Sequence, residues 1–143
     1  PSIAVLQANQ IADASEHMIQ SDKLSAEPIS AAMRSGDDEW VDVVNWMLAA
    51  LLKAEEEGVT SANIDAMVAD PPNPPVARLL GVNPGMGERL GLRETWAREM
   101  IAEMGNFAEI YDRNLGEGSP YKLERGLNAL WSDGGVLYSP ILD

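Results

Sequence analysis

The sequence predicts a helix-rich α+β fold with few, short strands. Three observations carry this expectation. Residues 38–57, DEWVDVVNWMLAALLKAEEE, make one long and broadly apolar helical pattern. Beyond it, amphipathic helical spacing returns over 92–104, 106–115 and 123–131. Only two short runs, 17–20 (HMIQ) and 29–34 (ISAAMR), read as strands.

In chain order, residues 3–12 place Ile3, Leu6, Ile11 and several alanines on one helical side. The two β-like runs follow, joined by the polar stretch SDKLSAEP, in which Pro28 biases Glu27 towards extended geometry. Gly36 ends the second run, and Asp37 or Asp38 caps the long helix, whose acidic first turn suits the positive end of the helix dipole. Trp40, Val44, Met47, Leu48, Leu51 and Leu52 form its main stripe, widened by Val41 and Val43, so neighbours are expected on more than one side. Gly58 stops it. Residues 60–70 read as a short capped helix with Ile64, Met67 and Val68 inward, and PPNPP then breaks the chain. Pro75 suits the first turn of PVARLLG, and GVNPGMGERLG reads as loop. Leu92, Trp96, Met100 and Met104 line the next helix. Phe107, Ile110, Tyr111 and Leu115 line the one after, with Glu109 and Arg113 paired outside. Leu123, Leu127, Leu130 and Trp131 mark a fourth short helix, and GGVLYSP reads as extended.

At 143 residues the chain is one domain or part of one, large enough to bury a core without staples. Cysteine is absent, which removes thiolate catalysis, cysteine zinc sites and a disulfide framework. The formal charge of -13 would repel nucleic acid and anionic membranes, so neither is expected as a partner. The longest apolar run, Trp46 to Leu52, is far short of the ~20 residues that span a bilayer. The opening PSIAVLQANQ has neither an initiator Met nor a basic leader, and reads as a cut within something longer.

No motif argues for catalysis, and no enzyme activity, metal or cofactor is expected. Gly85-Met86-Gly87 and Gly116-Glu117-Gly118-Ser119 lack the spacing of a dinucleotide or phosphate loop, and each lies beside a glutamate. They read as turns. His17 is the single histidine, with no readable triad or metal partner. The carboxylate runs Asp37/Asp38/Glu39 and Glu55/Glu56/Glu57 sit at helix ends, where capping and solvation suffice to explain them. Trp40, Trp46, Trp96 and Trp131 all fall on apolar helix faces and are expected in the core.

Taken together, three stretches resemble a known family. They are EPISAAMRSGDDEWVDVVNWMLAAL, EEEGVTSANIDAM and GNFAEIYDRNLGEGSPYKLERGLNALWSDGGVLYSP. They are similar to the C-terminal part of periplasmic solute-binding proteins of ABC importers, in the branch for general or polar L-amino acids. The resemblance implies a partial two-lobe, type II fold that closes over its ligand about a hinge. Residues 1–22 would end the second lobe, 23–28 would form the hinge crossover, and 29–143 would complete the first lobe with its helical extension. Lys23, Ser25, Glu27 and Pro28 would be hinge residues, and the ligand-binding residues would lie upstream of Pro1. The implied partners are an L-amino acid, bound only by the intact protein, and the membrane subunits of the transporter, in the periplasm. Alone, the chain is expected to be ligand-incompetent and to form a homodimer or a strand-exchanged assembly through exposed edges and its apolar helix. The alternative is a stand-alone helical interaction module derived from that family.

Overall fold

A computed structural model of the chain describes residues 28–140 together with Gln10, Glu16 and His17. Among the described residues six helices follow one another: α1 (Asp38–Glu56), α2 (Ile64–Ala69), α3 (Pro74–Leu79), α4 (Met86–Arg89), α5 (Trp96–Met104) and α6 (Phe107–Asn114). Two 3-10 turns close the series, at Gly126–Asn128 and Trp131–Asp133. Among the described residues there is no strand, only an isolated bridge between Leu130 and Leu137. The strand expected over residues 29–34 is therefore corrected to irregular backbone, because the described residues offer no neighbouring strand to satisfy its hydrogen bonds. The expected helix over 3–12 and strand over 17–20 fall largely outside the described residues.

Helix α1 is the axis of the packing. It begins as its sequence implies, with the Asp37 carboxylate accepting from the Trp40 amide at 3.2 Å. Its C-terminal half carries the core: Ala49, Ala50, Leu51 and Ala54 are buried against α3, α5 and α6. Val59, Ile64, Val76, Leu79, Leu80, Ala97 and Ile101 complete that cluster. The most buried face is thus a run of small residues rather than the large-residue stripe that periodicity picked out. Alanine lets neighbouring backbones approach α1 closely, whereas Trp40 and Leu48 stay 52% and 42% exposed. Trp46 and Trp96 do pack on the core, but Trp131 is 67% exposed, so only half of the expected tryptophan core forms.

Termination of α1 follows a specific geometry. Gly58 takes φ +66, the Val59 amide donates to the Ala54 carbonyl at 2.8 Å, and the Gly58 amide donates to the Glu55 carbonyl at 3.1 Å. This is a Schellman ending, sealed by Val59 and Ala54, both fully buried. The same pair of bonds ends α3 at Gly81 and Val82, and ends α4 at Gly91 and Leu92.

Elsewhere the expectations shift by a turn or two. Asn73 caps α3 by accepting from the Val76 amide at 2.9 Å, with Pro74 and Pro75 in its first turn. The loop expected over 81–91 contains the single turn of α4. Helix α5 starts at Trp96 rather than residue 92, because residues 93 and 94 are pressed against the preceding loop. A Cβ on Gly81 or Gly87 would collide with the Glu94 or Arg93 carbonyl. The fourth helix expected over 123–131 is replaced by the two 3-10 turns, which bury Leu130 but leave Leu127 outside. No helix among the described residues is long and apolar enough to cross a membrane.

Candidate functional site

The acidic end of α1 gathers the most distant parts of the chain. Lys53 pairs with Glu57 at 2.8 Å and with Glu56 at 3.4 Å. Glu57 also accepts from the Asn73 side chain at 2.7 Å, and Glu56 accepts from the Ser139 amide at 2.8 Å. Ser139 Oγ donates to the Ala49 carbonyl at 3.1 Å, so the C-terminal segment is clipped across the helix end. Glu55 forms an ion pair with Arg125 at 3.0 Å, and the guanidinium lies 5.5 and 5.2 Å from the ring centres of Phe107 and Tyr111. Capping and solvation are therefore not the whole account of these carboxylates. Arg125 and Ser139 lie 70 and 83 residues away from their partners, beyond any spacing that a sequence reading can test.

Between this helix end and the exposed rings of Trp131 and Tyr138 lies an open hollow of about 600 Å³. Two carboxylates and one ammonium line it. The Lys53 hydrogen bond first, and the one from Asn73 after it, hold Glu57 below its usual 4.5 despite partial burial. Lys53 is raised above 10.5: burial opposes its charge, but the bonds and charges of Glu57 and Glu56 outweigh it. Both stay charged at neutral pH, so neither is poised for proton transfer there. The hollow holds charge beside aromatic rings.

The glycine loops are filled from within. Glu94 accepts from the backbone amides of Gly85 at 2.7 Å, Glu88 at 2.9 Å and Gly87 at 3.3 Å. Those amide bonds, Gly85 first, lower its pKa. At the second loop the Gly118 amide donates to Asp112 at 3.3 Å. Each glycine turn thus closes on a carboxylate of its own chain. Glu109 departs from the expected pairing with Arg113: it accepts from the Ser61 hydroxyl at 2.6 Å and from the Asn106 amide at 2.8 Å. Arg113 turns instead to the Met104 carbonyl at 3.0 Å. His17 is exposed and outside any helix, and the described residues form no group of three or more metal-ligating side chains. Of the expected hinge residues, Pro28 is exposed irregular backbone, while Lys23, Ser25 and Glu27 lie outside the described residues.

Helix order and sequence together meet the periplasmic binding proteins of ABC transporters. The fold superposes on a periplasmic binding protein of Brucella ovis, solved with glutathione bound, with a TM-score of 0.91 and 40% identity. That match covers 99% of this chain and 44% of the other. Among curated relatives, the general L-amino acid-binding periplasmic protein AapJ of Rhizobium johnstonii is 48% identical over 127 residues, 87% of this chain and 37% of its own length. The glutamate/glutamine/aspartate/asparagine-binding protein BztA of Rhodobacter capsulatus is 39% identical over 128 residues, 90% of this chain and 38% of its own. No protein-family model matches the chain. The chain is thus a partial-length relative of the amino-acid-binding periplasmic proteins of ABC transporters, which are solute-binding transport proteins. It spans 37–38% of the length of those curated relatives.

Proposed function

We propose that this chain is the C-terminal part of a periplasmic protein that binds L-amino acids and delivers them to an ABC transporter. The observation that carries the reading is a 0.91 TM-score on a periplasmic binding protein at 40% identity, across almost the whole chain. In this reading residues 1–22 end the second lobe, 23–28 cross the hinge through Lys23, Ser25, Glu27 and Pro28, and 29–143 complete the first lobe. The ligand contacts come from the remaining length of the protein, and this chain alone does not hold an amino acid. Support for that comes from its 37–38% share of the relatives and from a hollow that is open to solvent.

Calorimetric titration with a panel of L-amino acids and glutathione tests it. The expected outcome is no heat of binding to the 143-residue chain and about micromolar or tighter binding once the remaining length of the relatives is joined to it. Micromolar binding to the chain alone would overturn the reading.

A second reading, a self-associating interaction module, is favoured by Ile29, Trp40 and Leu48, which are 79%, 52% and 42% exposed. In both readings the isolated chain pairs as a homodimer or strand-exchanged assembly. A clean monomer in light scattering of the same samples counts against that pairing.

A further inference from the structure

Arg125 shows what the end of α1 does with a cation. Its guanidinium meets one carboxylate, Glu55, and two rings, Phe107 and Tyr111, all from its own chain. The next two carboxylates, Glu56 and Glu57, line the open hollow together with a second pair of rings, Trp131 and Tyr138. Here the rings are each 67% exposed. Lys53 is the one cation among the described lining residues, against two carboxylates, so a negative excess remains beside the aromatic surface.

The rings are not on loose chain. The Trp131 amide donates to the Leu137 carbonyl at 2.8 Å, the Leu137 amide to Ala129 at 3.1 Å, and the Val136 amide to Leu127 at 3.1 Å. That paired backbone fixes the positions from which the two rings project before any partner arrives, which lowers the backbone share of the entropy cost of binding. Leu127 and Val136, 56% and 59% exposed, add apolar surface to the same bonded segment. A free amino acid would leave that surface bare, whereas a protein surface covers it.

We propose that this hollow is a docking site for an arginine side chain presented by a basic protein partner. The guanidinium stacks on Trp131 and Tyr138 while the Glu56 and Glu57 side supplies the opposite charge. Leu127 and Val136, on the same segment, meet apolar side chains of the partner. The chain's formal charge of -13 favours a basic partner and opposes a second copy at this face. The inference stands apart from the transport reading, since it requires no bound amino acid.

Surface plasmon resonance tests it, with an immobilised short peptide alternating arginine and glycine, at about 0.15 M ionic strength. The wild-type chain is expected to bind, and Trp131→Ala and Tyr138→Ala are each expected to weaken binding about tenfold, as for truncation of a central interface aromatic. Their melting temperatures should match wild type, because both rings are mostly in solvent. An alternating lysine and glycine peptide should bind more weakly, because an ammonium cannot stack as a guanidinium does. No binding by the wild-type chain overturns the proposal. Unchanged binding by both variants also overturns it, by showing attraction to diffuse charge only. So does sedimentation in which Trp131→Ala dissolves a homodimer, because a second copy would then be the occupant.

Discussion

Single residues in this chain carry more than their local sequence suggests. Arg125 has the charge of any surface arginine, yet its side chain is only 23% exposed and its partner Glu55 only 11%. The guanidinium is stacked on Phe107 and Tyr111, and the pair is partly shielded from water and salt. A double-mutant cycle with Arg125→Ala and Glu55→Gln, read by urea unfolding, should give a coupling above the ~1 kcal/mol reached by exposed ion pairs. Raising the salt concentration should erode it only slightly, because the screening ions are kept out. Glu94 makes the complementary case. Its carboxylate closes a ring of backbone amides that could otherwise take an outside anion, so a glutamate near a glycine loop is here the occupant of the loop.

At the scale of the element, Asn106 joins capping to tertiary structure. It is 4% exposed, its Oδ1 accepts from the Glu109 amide at 2.9 Å, and the Glu109 carboxylate returns to the Asn106 amide. This capping box starts α6. The Asn106 Nδ2 also donates to the buried Val59 carbonyl at 2.9 Å, tying α6 to the end of α1. Asn106→Ala should therefore cost about 2–4 kcal/mol in urea unfolding, the sum of a lost cap and an orphaned carbonyl. Asn106→Asp should recover only the capping share, since an aspartate can accept from Glu109 but cannot donate to Val59. Helices α1 and α6 were legible in the sequence because their caps, periodicity and stops agree. Helix α4 was missed although its Leu90-Gly91-Leu92 ending repeats the form of Glu57-Gly58-Val59, a signal that could have found it. The helix expected at 123–131 failed for the opposite reason. Its apolar spacing is helical, but Gly126 at φ +51 and the Leu130–Leu137 bridge divide the segment into separate turns.

Across the whole molecule, the acidic composition has a predictable sign. Glu57 is lowered from 4.5 by Lys53, Glu94 by backbone amides, and Glu109 by Ser61, Asn106 and Arg113 against an opposing burial cost. A carboxylate with a folded pKa below its unfolded value contributes stability that is complete above the unfolded value and is lost as pH falls through the folded one. Thermal melts followed by circular dichroism should thus hold steady from neutral pH to about 4.5 and fall below it. Glu109→Gln should melt lower at neutral pH and show a shallower acid-side fall. A glutamine can still accept from the Asn106 amide to fill the capping box, but its single oxygen leaves one acceptor fewer for Ser61, so the difference reports the charge together with that lost bond. A variant curve parallel to wild type below pH 4.5 would remove Glu109 from this account.

By itself the sequence determined the helix-rich character, the position of α1, its cap and stop, the absence of cysteine chemistry, and the relationship to amino-acid-binding periplasmic proteins. The relationship rests on the resemblance of three stretches of sequence to that family; the rest depends on local periodicity, capping chemistry and composition, all read within a few turns of chain. Only the tertiary structure decided which face of α1 is buried, where its three terminal carboxylates go, and that Trp131 and Tyr138 stand outside. The reason is physical: close packing selects Ala49, Ala50 and Ala54 over larger apolar neighbours, and partners 70 and 83 residues away select the carboxylate geometry. Neither choice leaves a periodic trace along the chain.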